Sequence, residues 1–130
     1  MNLLVLTTLP HYLAITAVDS KDITYKFIIF TSTSLSVIWH STNEQNMIIM
    51  FLDYFFALTW FLYEVDKTFH NDELLTRTIL LNFLIFYMNM HIKYNDSYII
   101  NHSFWHLLSA LKSYYLARSS YNVEGPQDNY

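Results

Sequence analysis

At 130 residues, with 53% apolar, 18% aromatic and only 14% charged side chains, the chain has the length of one domain but lacks the roughly 25% charge of an ordinary soluble one. One Gly and two Pro exclude collagen, a Gly-rich phosphate loop and a Rossmann turn, and the absence of Cys excludes disulfide scaffolds, thiolate metal sites and Cys nucleophiles. A net charge of −4 without a basic run argues against nucleic acid as a partner.

The mean hydropathy of +0.19 averages over five apolar blocks separated by short polar clusters. The first block, from Leu3 to Val18, contains Pro10 and His11. Small residues near its end (Ala14, Ala17) suit a cleaved signal peptide, but no Lys or Arg precedes Lys21, so a retained helix is expected. The second, from Tyr25 to His40, opens on Phe27-Ile28-Ile29-Phe30 and continues into a Ser/Thr-rich stretch. The third, from Met47 to Val65, is the most apolar and encloses Asp53, with Glu64 at its end. The fourth runs from Leu74 to Met90, and the fifth from Tyr98 to Ala117. Each is about 16–20 residues, near the length a helix needs to cross hydrocarbon.

A soluble helical bundle would carry Lys and Glu at helical spacing on each outer face. The third block has no such face, and its neighbours place Ser, Thr, Asn and Tyr where a soluble helix carries charge. No block alternates as a strand does. The expected fold is therefore all-α: a polytopic transmembrane bundle of about five helices over residues 1–118, followed by a disordered polar tail, 119–130, that contains Gly125-Pro126.

Five crossings put Lys21, Lys26, Lys67, Arg77, Lys112 and Arg118 at or near one membrane face and leave only Lys93 on the other. Positive residues accumulate on the cytoplasmic side, so the N-terminus is expected in the lumen or outside the cell and the C-terminus in the cytoplasm. Asn95-Asp96-Ser97 is a glycosylation acceptor pattern on the non-cytoplasmic side.

The polar residues inside the blocks carry the chemistry. Ser36 and His40 form S-x-x-x-H at the end of block two, Asp53 lies early in block three, and His102 and His106 form H-x-x-x-H early in block five. Residues four apart share a helix face. Alternating crossings bring the end of block two and the starts of blocks three and five to the same membrane face, at similar depth. Three imidazoles, a carboxylate and a hydroxyl thus meet from non-adjacent segments. Three neutral His with an open position form the ligand set of a catalytic zinc site, whose water ionises near neutral pH and attacks an acyl carbonyl. Asp53 is placed to orient that water or take its proton, and Ser36 to hydrogen-bond the water or the developing oxyanion. Taken singly, each has a blander role: His102 and His106 as interfacial groups, His40 as a helix-end cap, Ser36 as a packing residue. Asp53 is the hardest to read as structural, because intramembrane carboxylates have a function or a partner. His11, His70 and His91 have no matching partners and are expected at the interface. The three Trp are expected as interface and core aromatics, and Arg77 is expected to reach the cytoplasmic interface.

The ordered set of S-x-x-x-H, Asp and H-x-x-x-H, with the wording WHST and HSFWH, resembles the CREST superfamily of membrane hydrolases and receptors. That group includes alkaline ceramidases, progestin and adipoQ receptors, the remodelling hydrolases of GPI-anchored proteins, and myomaker. The resemblance implies a seven-helix bundle with zinc on His40, His102 and His106, with Asp53 and Ser36 beside it. It implies a lipid amide or ester as substrate, such as a ceramide, a glycerolipid or a GPI-type lipid. This chain departs from the pattern in having about five helices, with one where the family has three between the Asp helix and the H-x-x-x-H helix. That reduction favours a second reading, a non-catalytic receptor, fusion factor or metal-stabilised scaffold. A third class is a small membrane protein whose polar residues only pack helices.

Overall fold

A computed structural model describes residues 2–92 and 97–123. Lys93, Asn95, Asp96 and the tail from residue 124 onward lie outside the described residues. Those described are all-helical, with no strand among them. The first apolar block forms one bent rod: α1 (Leu3–Thr8), a 3-10 turn (Leu9–Tyr12) and α2 (Leu13–Ala17). The interruption falls at Pro10, which has no N–H to give to an α-helical ladder. Four longer helices follow: α3 (Ile23–Ser41), α4 (Met47–Thr68), α5 (Asp72–Ile92) and α6 (Tyr98–Val123). Counting the rod as one pass, five passes match the five apolar blocks, and α6 continues five residues past the boundary expected at Arg118. The first part of the expected polar tail is therefore helix.

The polar clusters between blocks are what start the helices. Asn2, Asp22, Asn46 and Asn71 each accept a hydrogen bond from a backbone N–H of the first turn that follows: Leu4, Tyr25, Ile48 and Ile49, and Leu74. Each cap satisfies donors that a helix start leaves unpaired.

The α3 helix packs along α4, and α6 packs against both the first pass and α5. The apolar core (Ala14, Val18, Tyr25, Ile28, Ile29, Trp60, Ala117) joins the first pass, α3, α4 and α6. Asp22, at the start of α3, pairs with Lys67 near the end of α4 at 3.0 Å and accepts from Tyr63 at 2.9 Å. At the other end of the bundle the Asn2 amide donates to the His40 carbonyl at 3.1 Å and so satisfies part of the C-terminus of α3.

The distribution of polarity differs from that of a soluble bundle: buried polar residues stand beside the apolar core, and large apolar side chains cover much of the outside. The buried face of α6 mixes polar and small residues, His102, Ser103, His106, Ser109, Ala110, Ser113, Ala117 and Ser120, with Leu116, while Ile100, Phe104 and Leu111 point outward. Glu64 and Thr78 are 0% exposed, whereas Ile48 is 73% and Phe83 67% exposed. Among the described residues one helix, α4, is long and apolar enough to cross a membrane; the rod of residues 3–17 is apolar but shorter.

Candidate metal centre

The imidazoles of His40, His102 and His106 converge. All three residues are buried, and each offers a ring nitrogen within 4.8 Å of those of the other two. The ring centroids are 4.8 Å apart for His40 and His106, 5.3 Å for His40 and His102, and 4.6 Å for His102 and His106. The Nε2 atoms of His40 and His106 lie 2.9 Å apart. The arrangement follows from helical spacing: His102 and His106 stand one turn apart on the inner face of α6, and His40 reaches them from the last turn of α3.

Tetrahedral zinc with bonds of 2.0–2.1 Å needs about 3.3–3.4 Å between its ligand nitrogens. The trio brackets that separation, from 2.9 Å to within 4.8 Å, so small side-chain rotations fit it to an ion. Nδ1 of His102 and Nδ1 of His106 are buried and have no hydrogen-bond partner, which leaves bonding capacity in the cluster unused. The residues present fit a metal ion.

The trio opens into a cavity of about 710 Å³ lined by the first rod, α3, α4, α5 and α6. Asp53 from the second turn of α4 and Ser36, one turn before His40, both line it. All five residues singled out from the sequence therefore face one space. The trio forms the donor set, and Asp53 and Ser36 share the cavity wall.

Other residues join them that the sequence pattern did not single out. His11 was expected at the interface; instead it is buried, lines the cavity, and lies edge-on to His106 with centroids 5.8 Å apart. Its Nδ1 is 2.9 Å from the carbonyl of Thr8. A carbonyl only accepts, so Nδ1 carries the hydrogen and Nε2 is left as an acceptor. Glu44 accepts from His40 Nδ1 at 2.9 Å and from the Tyr98 hydroxyl at 2.9 and 3.1 Å. Its position four residues after His40 was the available signal. Trp105 lies against His102 and donates its Nε1–H to the Ile85 carbonyl at 2.7 Å, tying α6 to α5.

Farther along α6, Lys112 also lines the cavity. It was expected near the cytoplasmic surface. Its ammonium instead turns inward, donating to Asn82 Oδ1 at 2.9 Å and standing 3.5 Å from Glu64 Oε2. The Glu64 carboxylate also accepts from Tyr25 at 3.3 Å and Asn82 at 2.9 Å, so this buried charge is paired and hydrogen-bonded. By contrast His70, His91 and Arg77 are exposed; Arg77 pairs with Glu73 and donates to the Tyr115 hydroxyl.

No family model, no curated protein and no solved structure matches this chain.

Proposed function

We propose that the protein is a polytopic membrane hydrolase that uses a zinc ion on His40, His102 and His106 to cleave an amide or ester bond of a membrane lipid. The observation that carries this reading is the convergence of three buried imidazoles on a cavity that also holds a carboxylate and a hydroxyl. The exposed apolar surface supports the membrane setting: Phe, Ile and Leu stand outward on the long helices, while Ser, Thr and His lie inside beside the apolar core, as helices packed in lipid allow. A cavity of about 710 Å³ has room for a lipid headgroup and the start of its chain. The ordered motifs resemble those of the CREST hydrolases, in a bundle shorter by two helices.

When bound, zinc supplies a Lewis acid and lowers the pKa of a coordinated water. The chain's own residues do the rest. Asp53 accepts a proton from the attacking water, as a general base must. Ser36 donates its hydroxyl hydrogen to the carbonyl oxygen as charge develops there. Water adds to the acyl carbon, the C–N or C–O bond breaks, and the amine or alcohol leaves with a proton, releasing a fatty acid. The apolar cavity wall, with Leu58, Phe61 and Phe83, holds the acyl chain out of water.

The test is metal analysis of the purified, detergent-solubilised protein, followed by release of fatty acid from ceramide, phospholipid and GPI-type lipid. Wild type should hold about one zinc per chain and release fatty acid, and His106→Ala should lose both. Metal without hydrolysis selects the non-catalytic scaffold or receptor reading, which the reduced helix count favours. Absence of bound metal ends the zinc reading.

A further inference from the structure

We propose that Glu44 is the positioning residue of the histidine cluster: from a strained turn outside both metal-bearing helices, its carboxylate sets the tautomer of His40 and, through Tyr98, the ring plane of His102. The inference rests on the metal reading of that cluster and deepens it.

The backbone is the first observation. Asn43 and Glu44 have φ of 53° and 59°, two consecutive residues in the left-handed region. Asn visits that region with some ease; Glu, with its longer side chain, does so rarely. A helix C-terminus is ordinarily closed there by Gly. In this turn the N–H groups of Thr42, Asn43 and Glu44 fold back onto the carbonyls of Ile38, His40 and Trp39. The fold-back carries the Glu44 side chain over the last turn of α3.

The contacts made there are the second observation. A carboxylate oxygen only accepts, so the bond from His40 Nδ1 puts the ring hydrogen on that nitrogen. His40 Nε2 is then left with its lone pair, and this is the nitrogen that faces His106. Tyr98 donates to both oxygens of the same carboxylate, and its ring stacks on His102 with centroids 5.0 Å apart and planes 29° apart. Tyr98 and His102 are one turn apart on α6. One side chain therefore orients two of the three imidazoles, from α3 and from α6. An outer partner on the other nitrogen of a metal-bound His fixes the ring and makes it a better ligand, and His40 has one in Glu44.

A plain turn-closing residue would stabilise the loop but leave metal affinity unchanged relative to the folded, metal-free protein. The experiment compares full-length, detergent-solubilised wild type with Glu44→Ala, Glu44→Gln and Tyr98→Phe. It measures Zn²⁺ and Co²⁺ affinity by chelator competition, the visible spectrum of the Co²⁺ form, and melting of the metal-free protein. Glu44→Ala should weaken binding by about 10–100-fold. Glu44→Gln, which keeps one acceptor oxygen, should recover part of that loss. Tyr98→Phe should shift the Co²⁺ spectrum while the metal-free form melts as wild type does. Should Glu44→Ala fail to fold, the Gln and Phe variants carry the comparison. Binding by Glu44→Ala within about twofold of wild type, or losses that merely track metal-free melting, would overturn the role of Glu44 alone. A wild-type protein that binds neither ion overturns the metal reading and this inference together.

Discussion

The ammonium of Lys112 and the carboxylate of Glu64 stand 3.5 Å apart inside the bundle, on α6 and α4, with Glu64 wholly shielded from solvent. Asn82 of α5 bonds to both, and Tyr25 of α3 donates to Glu64, so four helices meet at one ion pair. Breaking a buried pair from one side strands a charge without a partner. Lys112→Met should therefore lower stability by about 3–5 kcal/mol. Lys112→Met combined with Glu64→Gln should melt closer to wild type than Lys112→Met alone, because no charge is left behind. Denaturant melting of the variants in one detergent checks this. Equal losses for the single and double variants would show that the charge itself contributes nothing.

The helices were legible because apolar runs of near-spanning length end at polar clusters. The structure adds that within four of those clusters an Asn or Asp caps the next helix: Asn2, Asp22, Asn46 and Asn71. The histidine trio was legible because i,i+4 spacing and alternating chain direction act independently and still agree on one end of the bundle. His11 was not legible. It sits in the 3-10 turn after Pro10, where neither helical nor strand periodicity says which way a side chain points. Lys112 was misplaced for a different reason. Charge counting assigns a Lys near a helix end to the nearer surface, and the partner that reverses this, Glu64, lies 48 positions away in sequence on another helix. Glu44 follows His40 by one helical turn, but the left-handed turn that folds it back is invisible without the backbone.

At the opposite end from the histidines, Asp22 gives a pH dependence whose sign can be worked out. Burial works to raise its pKa, but hydrogen bonds from the Tyr25 backbone, Lys67 and Tyr63, and the charge of Lys67, outweigh it and leave the pKa below the ordinary 3.8. A folded-state pKa below the unfolded value means stability that is fully present above the unfolded value and lost as pH falls through the folded one. The melting temperature of wild type should therefore fall as pH drops below about 4, and Asp22→Asn should flatten that part of the profile. Parallel profiles for the two proteins would show that another carboxylate governs acid sensitivity. Asp22 also caps α3, so Asn, which keeps the cap oxygen, is the variant to compare.

The orientation proposed here places the histidine end toward the lumen or cell exterior. Its basis is the concentration of six of seven Lys and Arg residues at or near the opposite face. Lys112 turns inward to Glu64, and the bias survives without it because Lys21, Lys26, Lys67, Arg77 and Arg118 remain. A reporter fused after the last residue should be cytosolic, and one placed before Asn2 should be protected from cytosolic protease. The reverse pattern would put the histidine cluster on the cytoplasmic side and remove the motive for the assigned faces.

Asp53 and Ser36 separate a catalytic centre from a metal-stabilised scaffold. Both line the cavity into which the trio opens, and neither belongs to the converging nitrogen set. Asp53→Asn keeps the shape of the side chain and one acceptor oxygen, but an amide cannot take up the proton of an attacking water. Metal content should stay near wild type while turnover falls by about 10²–10⁴, the range for losing general-base help. Ser36→Ala should cost about 10²-fold or less, since a water can replace one hydroxyl donor in part. His106→Ala should differ from both by losing the metal itself. The ordering is read from metal analysis and lipid hydrolysis on the same preparations. Full turnover in Asp53→Asn would remove Asp53 from the chemistry while leaving the metal site intact. Loss of metal in Asp53→Asn would instead make the carboxylate a ligand, and the proton acceptor would then have to be sought elsewhere on the cavity wall, with His11 Nε2 the first candidate.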